Sequence, residues 1–216
     1  NAHPLTSEYK VAVVHNGIIE NYEPIKNKLI SEGYTFESQT DTEVLPHLFA
    51  KYIKLGNNFL QAGRLVLKDI KGAFAFVAIS VDFPNELFVS RNSSPLVIGL
   101  GDKSNYVGSD AHSIDHLTQR VIYLEDGDHA LINLNDVKIF NINEEKVERK
   151  IINIKAEIGL ITKGGYRHFM EKEIFEQPSV IPQTISTLIN NNSEIKIDLN
   201  KLGFKNKNTL LISAAG

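Results

Sequence analysis

Tyr9-Lys-Val-Ala-Val-Val-His-Asn-Gly-Ile18 carries the reading on which the fold turns. Residues 9–15 are β-branched and apolar enough for a buried strand. Asn16-Gly17 then admits two readings. The simpler is a hairpin turn, because Asn-Gly is the strongest short hairpin signal. The sharper is an oxyanion hole. An Asn side-chain NH₂ and the adjacent Gly N–H can point two donors at one developing negative oxygen. Gly also lets main chain approach a ligand with no Cβ in the way. From Ala73 onward the pattern is dominated by strands, expected at 73–81, 86–91, 96–100, 105–108, 121–124, 128–133, 137–141 and 146–152. Short Gly-, Pro-, Asn- or Asp-containing connections separate many of them, which predicts antiparallel pairing.

Between these regions the period is helical. Asn21 is placed to cap a helix carrying Ile25, Leu29 and Ile30 on one face, with Gly33 to stop it. Thr40-Asp41-Thr42-Glu43 reads as a capping box before a second helix, and a third is expected near 59–70. Capping accounts for Thr40 and Glu43. Asp41 has a further use open to it, since a carboxylate can hold the α-ammonium of an amino-acid substrate. The whole is α+β, with helices segregated from many antiparallel strands. A short helix is expected within 110–118, where a polar face is the better reading of His112 and His116 than a metal site. Ser93-Ser94-Pro95 reads as a turn, since it lacks the Lys and the spacing of a phosphate loop.

Composition narrows the function classes. The chain has 216 residues, 42% of them apolar, and a formal net charge of −3. Lys and Arg form no basic block, which argues against nucleic acid and anionic membranes as partners. No apolar run reaches membrane-spanning length. There is no cysteine, so no disulfide framework, no thiolate metal site and no Cys nucleophile; a reducing cytoplasm fits. The first residue is Asn1 and the last, Gly216, follows the apolar run 209–215. Both ends are expected to be cuts through a longer protein. Residues 169–188 look helical with interruptions at Pro178 and Pro182, 163–165 read as a loop, and 190–193 as a polar linker.

Taken together, Asn1-Ala-His-Pro4, Val13-Val-His-Asn-Gly-Ile-Ile-Glu-Asn21, Thr40-Asp-Thr-Glu-Val44, Ser94-Pro-Leu-Val-Ile-Gly-Leu-Gly101, Tyr123-Leu-Glu-Asp-Gly-Asp128 and 163–178 resemble, in order, the glutamine–fructose-6-phosphate aminotransferases. These are class II (N-terminal-nucleophile, Ntn) glutamine amidotransferases. The resemblance implies an αββα sandwich, two antiparallel sheets between helical layers. It implies glutamine hydrolysis, with ammonia passed to a sugar-isomerase (SIS) domain that acts on fructose 6-phosphate. It implies that Asn16 and the Gly17 N–H form the oxyanion hole, that Asp41 holds the substrate ammonium, and that His3 lies near the glutamine site. No cofactor or metal is implied, and a homodimer is expected of the full-length protein. The organisation expected is a glutaminase domain at 1–158 lacking its N-terminal part, a hinge and first isomerase helix at 159–208, and the first isomerase strand at 209–216. The family's nucleophile is an N-terminal Cys whose own amine is the base. It is not in this sequence, so the chain alone is expected to be inactive. Another class II amidotransferase, or a non-catalytic module that kept the fold, are the alternatives.

Overall fold

The computed structural model describes residues 2–8, 10–154 and 166–188. The chain divides into two compact units, residues 1–158 and 159–216. The expected loop at 163–165, linker at 190–193 and strand at 209–215 lie outside the described residues.

In the first unit, β1 (Leu5–Ser7) and β2 (Val11–Ile19) precede α1 (Tyr22–Ser31), a 3₁₀ turn (Asp41–Glu43), α2 (Val44–Lys54) and α3 (Phe59–Asp69). Strands follow: β3 (Gly72–Ser80), β4 (Leu87–Asn92), β5 (Val97–Leu100), β6 (Asn105–Gly108), β7 (Arg120–Tyr123), β8 (His129–Ile132), β9 (Val137–Phe140), β10 (Lys146–Val147) and β11 (Ile151–Asn153). They form a seven-stranded sheet, β1-β2-β3-β4-β8-β9-β10, and a four-stranded sheet, β11-β7-β5-β6. All named pairings are antiparallel.

The two-residue period of the strands assigns each side chain to a layer. Phe74, Phe76 and Phe88 point into one core with Phe49 of α2 and Phe59 of α3. Ala75, Val89 and Ala130 point the other way, to Ile98 and Ile122 of the second sheet. Helices α1–α3 therefore cover one face of the larger sheet, and the smaller sheet covers part of the other. The aromatic cluster is tight: Phe49 and Phe88 centroids lie 5.5 Å apart, nearly edge to face. Truncating one such ring costs about 3–5 kcal/mol. Gly63 lets α3 approach this cluster, since a Cβ there would stand 2.2 Å from the Phe88 ring.

Several expectations change. The Asn-Gly pair makes no turn: β2 runs unbroken to Ile19, and Asn16 and Gly17 pair with Ala75 and Phe74. Asn21 does not cap α1. Its amide donates to Asp69 O at 2.7 Å and its carbonyl accepts from Lys71 N at 2.7 Å, tying the start of α1 to the end of α3. The expected single strand at 146–152 is two strands in different sheets. Between them Arg149 donates Nε and Nη2 to the fully buried Asp128 carboxylate, each at 2.8 Å, which draws the chain from one sheet to the other. The expected helix within 110–118 is only a 3₁₀ turn, Ala111–Ser113. With Ile114 it packs on the outer face of the small sheet, against Val97 and Val121. Among the described residues of this unit, the helical layer lies on the large sheet alone. In the second unit, residues Phe169–Leu188 form one helix, α4, with Pro178 and Pro182 inside it rather than ending it. Among the described residues no helix is long and apolar enough to cross a membrane.

His129 reports on the first core. Its ring stacks with Phe88 at 6.0 Å and Phe140 at 5.4 Å, and its Nε2 accepts from Arg64 Nε at 3.2 Å. Burial, then the Arg64 charge, push its pKa down to about 4 from the ordinary 6.5. As pH falls below 6.5 the unfolded chain takes up a proton that the folded chain refuses until about 4. Stability is thus lost across that window, by roughly 3 kcal/mol from this group. Urea unfolding of His129→Gln should show a shallower decline between pH 6.5 and 4 than the parent chain. Parallel declines would refute the assignment.

Candidate functional site

The site is built on the second half of β2. β1 pairs only with residues 11–13 of it. Beyond that point one edge of β2 is open, and the 3₁₀ turn Asp41–Glu43 docks there. Asp41 Oδ2 accepts from Ile19 N at 2.6 Å. Because Ile19 N–H faces away from β3, the strand alternation places Gly17 N–H on the same open edge. Gly17 has φ +117°, and a Cβ on it would sit 2.1 Å from Ala73 O. Only glycine fits this position.

Asn16, one residue earlier, is exposed on the opposite face with Val14. It opens onto a hollow of about 140 Å³ between the sheets, which His3 also lines, together with Ala75, Val107, Gly108 and Ser109. The two larger hollows, of about 560 and 320 Å³, touch none of His3, Asn16, Gly17 or Asp41. Structure thus brings Asn16 and His3 to one hollow. Asp41 does not line it and approaches from the strand edge next to Gly17.

Hydrogen bonds within and beside the turn fix the stretch that carries Asp41. Thr40 caps it, its hydroxyl accepting from Thr42 N at 2.9 Å. Glu43 does not complete the expected capping box. Its buried carboxylate instead accepts from Glu37 N and Ser38 N, each at 2.7 Å. Burial alone would raise the Glu43 pKa, but the Ser38 hydroxyl and these two amides outweigh it and hold the group below its ordinary 4.5. A buried carboxylate with several donors stays charged.

Two further residues belong here that the motifs did not single out. His15 and Thr42 are 5% and 3% exposed, and His15 Nδ1 lies 2.8 Å from Thr42 Oγ1. His3 Nε2 lies 3.5 Å from the same oxygen. Burial lowers the His15 pKa, partly offset by Asp41, so the ring is neutral at neutral pH. His15 Nε2 is buried without a partner. A bare buried acceptor costs less than an unpaired N–H. Hydrogen-bond balance therefore assigns the proton to Nδ1, which donates to Thr42 and leaves the Thr42 hydrogen for His3. A signal for His15 was present: it shares the two-residue phase of Val11 and Val13, and a polar residue on a core face needs a partner.

His112, in the 3₁₀ turn, and His116, in the turn after it, are exposed around Asp115, at 3.5 and 3.9 Å, instead of on one helix face. Among the described residues no group of three or more His, Cys, Asp or Glu is placed to hold a metal. Ser93 N donates to Asp126 Oδ1 at 2.8 Å and Ser93 bridges Phe74, so the 93–95 stretch is braced between β4 and β5 without forming a turn at Ser93.

Comparison with known proteins adds the family. Residues 1–116 match the profile described as a glutamine amidotransferase domain. The chain belongs to the class II glutamine amidotransferases. This amidotransferase chain is 41% identical over 219 residues to the glutamine–fructose-6-phosphate aminotransferase [isomerizing] of Fusobacterium nucleatum, an alignment covering all of the chain and 36% of that protein. It is 46% identical over 193 residues to the protein of the same name from Acinetobacter baylyi, covering 89% of the chain and 31% of the relative. It spans about a third of the length of these relatives. Among solved structures, the glutamine phosphoribosylpyrophosphate amidotransferase of B. subtilis superposes with a TM-score of 0.55 at 25% identity, covering 68% of this chain and 33% of that one. The amidotransferase fold of the first unit, with α and β elements in separate layers, accords with that match.

Gly17→Ala forces a Cβ into Ala73 O and a side-chain-bearing residue into positive φ. The substitution should cost at least about 2 kcal/mol. Thermal unfolding of the variant checks this, and an unchanged midpoint would remove Gly17 from its strained place at the strand edge.

Proposed function

We propose that this chain is the glutaminase part of a glutamine–fructose-6-phosphate aminotransferase. Asn16 Nδ2 and Gly17 N–H are the two donors for the oxyanion that forms when a nucleophile attacks the side-chain amide carbon of glutamine. The C–N bond then breaks and ammonia leaves, and water releases glutamate. Asp41 holds the glutamine ammonium through a charge-assisted bond, and His3 lines the hollow onto which Asn16 opens. The nucleophile and its amine come from polypeptide outside residues 1–216, as does nearly all of the isomerase domain. Residues 159–216 are assigned to the hinge and the beginning of the isomerase region. A second helical layer, over the small sheet, completes the αββα sandwich in the full-length homodimer. Ammonia made here would aminate fructose 6-phosphate to glucosamine 6-phosphate.

The observation that carries this reading is the docking of Asp41 on the open edge of β2, with Oδ2 2.6 Å from Ile19 N, two residues beyond Gly17. It sets a carboxylate, a main-chain donor and an amide side chain within one stretch of strand. The names of the relatives at 41% and 46% identity support the aminotransferase over the phosphoribosyl enzyme, whose match is at 25%.

In the full-length polypeptide, Asn16→Ala should lower the glutaminase kcat by a factor of about 10²–10³, the usual loss for one oxyanion donor. Asp41→Ala should chiefly raise the KM for glutamine. Steady-state glutamate release measures both, and an Asn16→Ala enzyme with parental kcat would end the oxyanion reading. The 216-residue chain by itself should release no glutamate above background.

A further inference from the structure

Asp41 is tied to β2 by one direct bond, Oδ2 to Ile19 N at 2.6 Å, and its carboxylate must be held to within a fraction of an ångström to bind an ammonium productively. The residue beside it supplies a second anchor. Thr42 is 3% exposed, and its hydroxyl meets His15 Nδ1 at 2.8 Å. His15 is the residue before Asn16 on β2. One bond thus ties the turn that carries Asp41 to the strand position next to the oxyanion donor. The Asp41–Ile19 bond ties the same turn four residues further along. Two adjacent turn residues grip the strand at two points that straddle Asn16 and Gly17. The His15–Thr42 bond is sealed from water, and Thr40 and Glu43 fix the turn's own shape. Among the described residues, of the side-chain bonds made by this turn only those of Asp41 and Thr42 reach β2.

We propose that the Thr42 hydroxyl, through its bond to His15, is a positioning residue that sets Asp41 relative to the Asn16–Gly17 donors and so governs glutamine affinity. The proposal rests on the reading of Asp41 given above. Thr42 touches no substrate in this scheme. Its loss is felt through the placement of Asp41, and therefore in binding and not in the chemical step.

The test uses the full-length polypeptide that carries these residues, with glutamate release as the readout. Thr42→Val keeps the shape and removes the hydroxyl. It should raise the KM for glutamine about tenfold, the worth of one buried hydrogen bond, and leave kcat within about twofold. Thr42→Ser should restore the parental KM. Thr42→Val should add little when His15→Phe is already present, because both break the same bond. The proposal is overturned if Thr42→Val leaves KM unchanged, if kcat falls instead, or if Ser fails to rescue. A Val variant that unfolds at assay temperature also overturns it, since the hydroxyl would then be holding the fold itself. Asp41→Asn is measured alongside. If it raises KM while Thr42→Val does not, only the positioning role falls. If Asp41→Asn leaves KM unchanged, the ammonium reading falls and takes this proposal with it.

Discussion

Nine consecutive residue pairs between β2 and β3 are the constraint on which the rest of the first unit depends. They fix which side chains of both strands enter the aromatic core and which face the second sheet. They also hold Gly17 in a conformation closed to other residues, against the Ala73 carbonyl. The helices add their stripe to a surface already defined by this ladder. Asp41 in turn finds Ile19 N–H because β1 stops short and leaves that edge of β2 without a partner strand.

Polar burial is concentrated where elements must be aligned. Asp128 receives Arg149 in a two-pronged pair and also accepts from Glu125 N at 2.8 Å. Glu43 receives the 37–38 segment, and His47 lies 2.8 Å from the Ser7 hydroxyl of β1. A buried pair of this kind contributes little net stability once desolvation is counted, and breaking one side is costly. Its value is geometric. Each one fixes a loop or strand end that apolar contacts, which lack direction, would leave free to slide.

The sequence was legible where one period dominated. β3 to β9 lie within about two residues of expectation because alternating apolar runs between turn residues leave little choice. α2 and α3 followed from their helical stripes. Reading failed where a local signal competed with a tertiary one. Asn-Gly favours a hairpin locally, but nine ladder pairs outweigh that preference and Gly17 bends without ending the strand. Asn21 and Glu43 carry capping chemistry, yet each found better-placed main-chain partners elsewhere. The division of residues 146–152 depends on the Asp128–Arg149 pair, whose members are 21 positions apart and invisible to any local window. Asn16, Gly17 and Asp41 were singled out by residue chemistry and by family motifs, and their roles stand as proposals. Their arrangement around one strand edge, with His15 and Thr42 between them, needed the three-dimensional register.

The strict alternation of β2 has a consequence for how this segment can change over evolutionary time. Asn16 must face outward, His15 must face inward, and both requirements are met by the same parity. A one-codon insertion or deletion between Val11 and Asn16 reverses the faces on one side of the change, sending Asn16 into the helical core or Val13 out of it. Lengthening is therefore excluded here by packing, and by the role proposed for Asn16 as well.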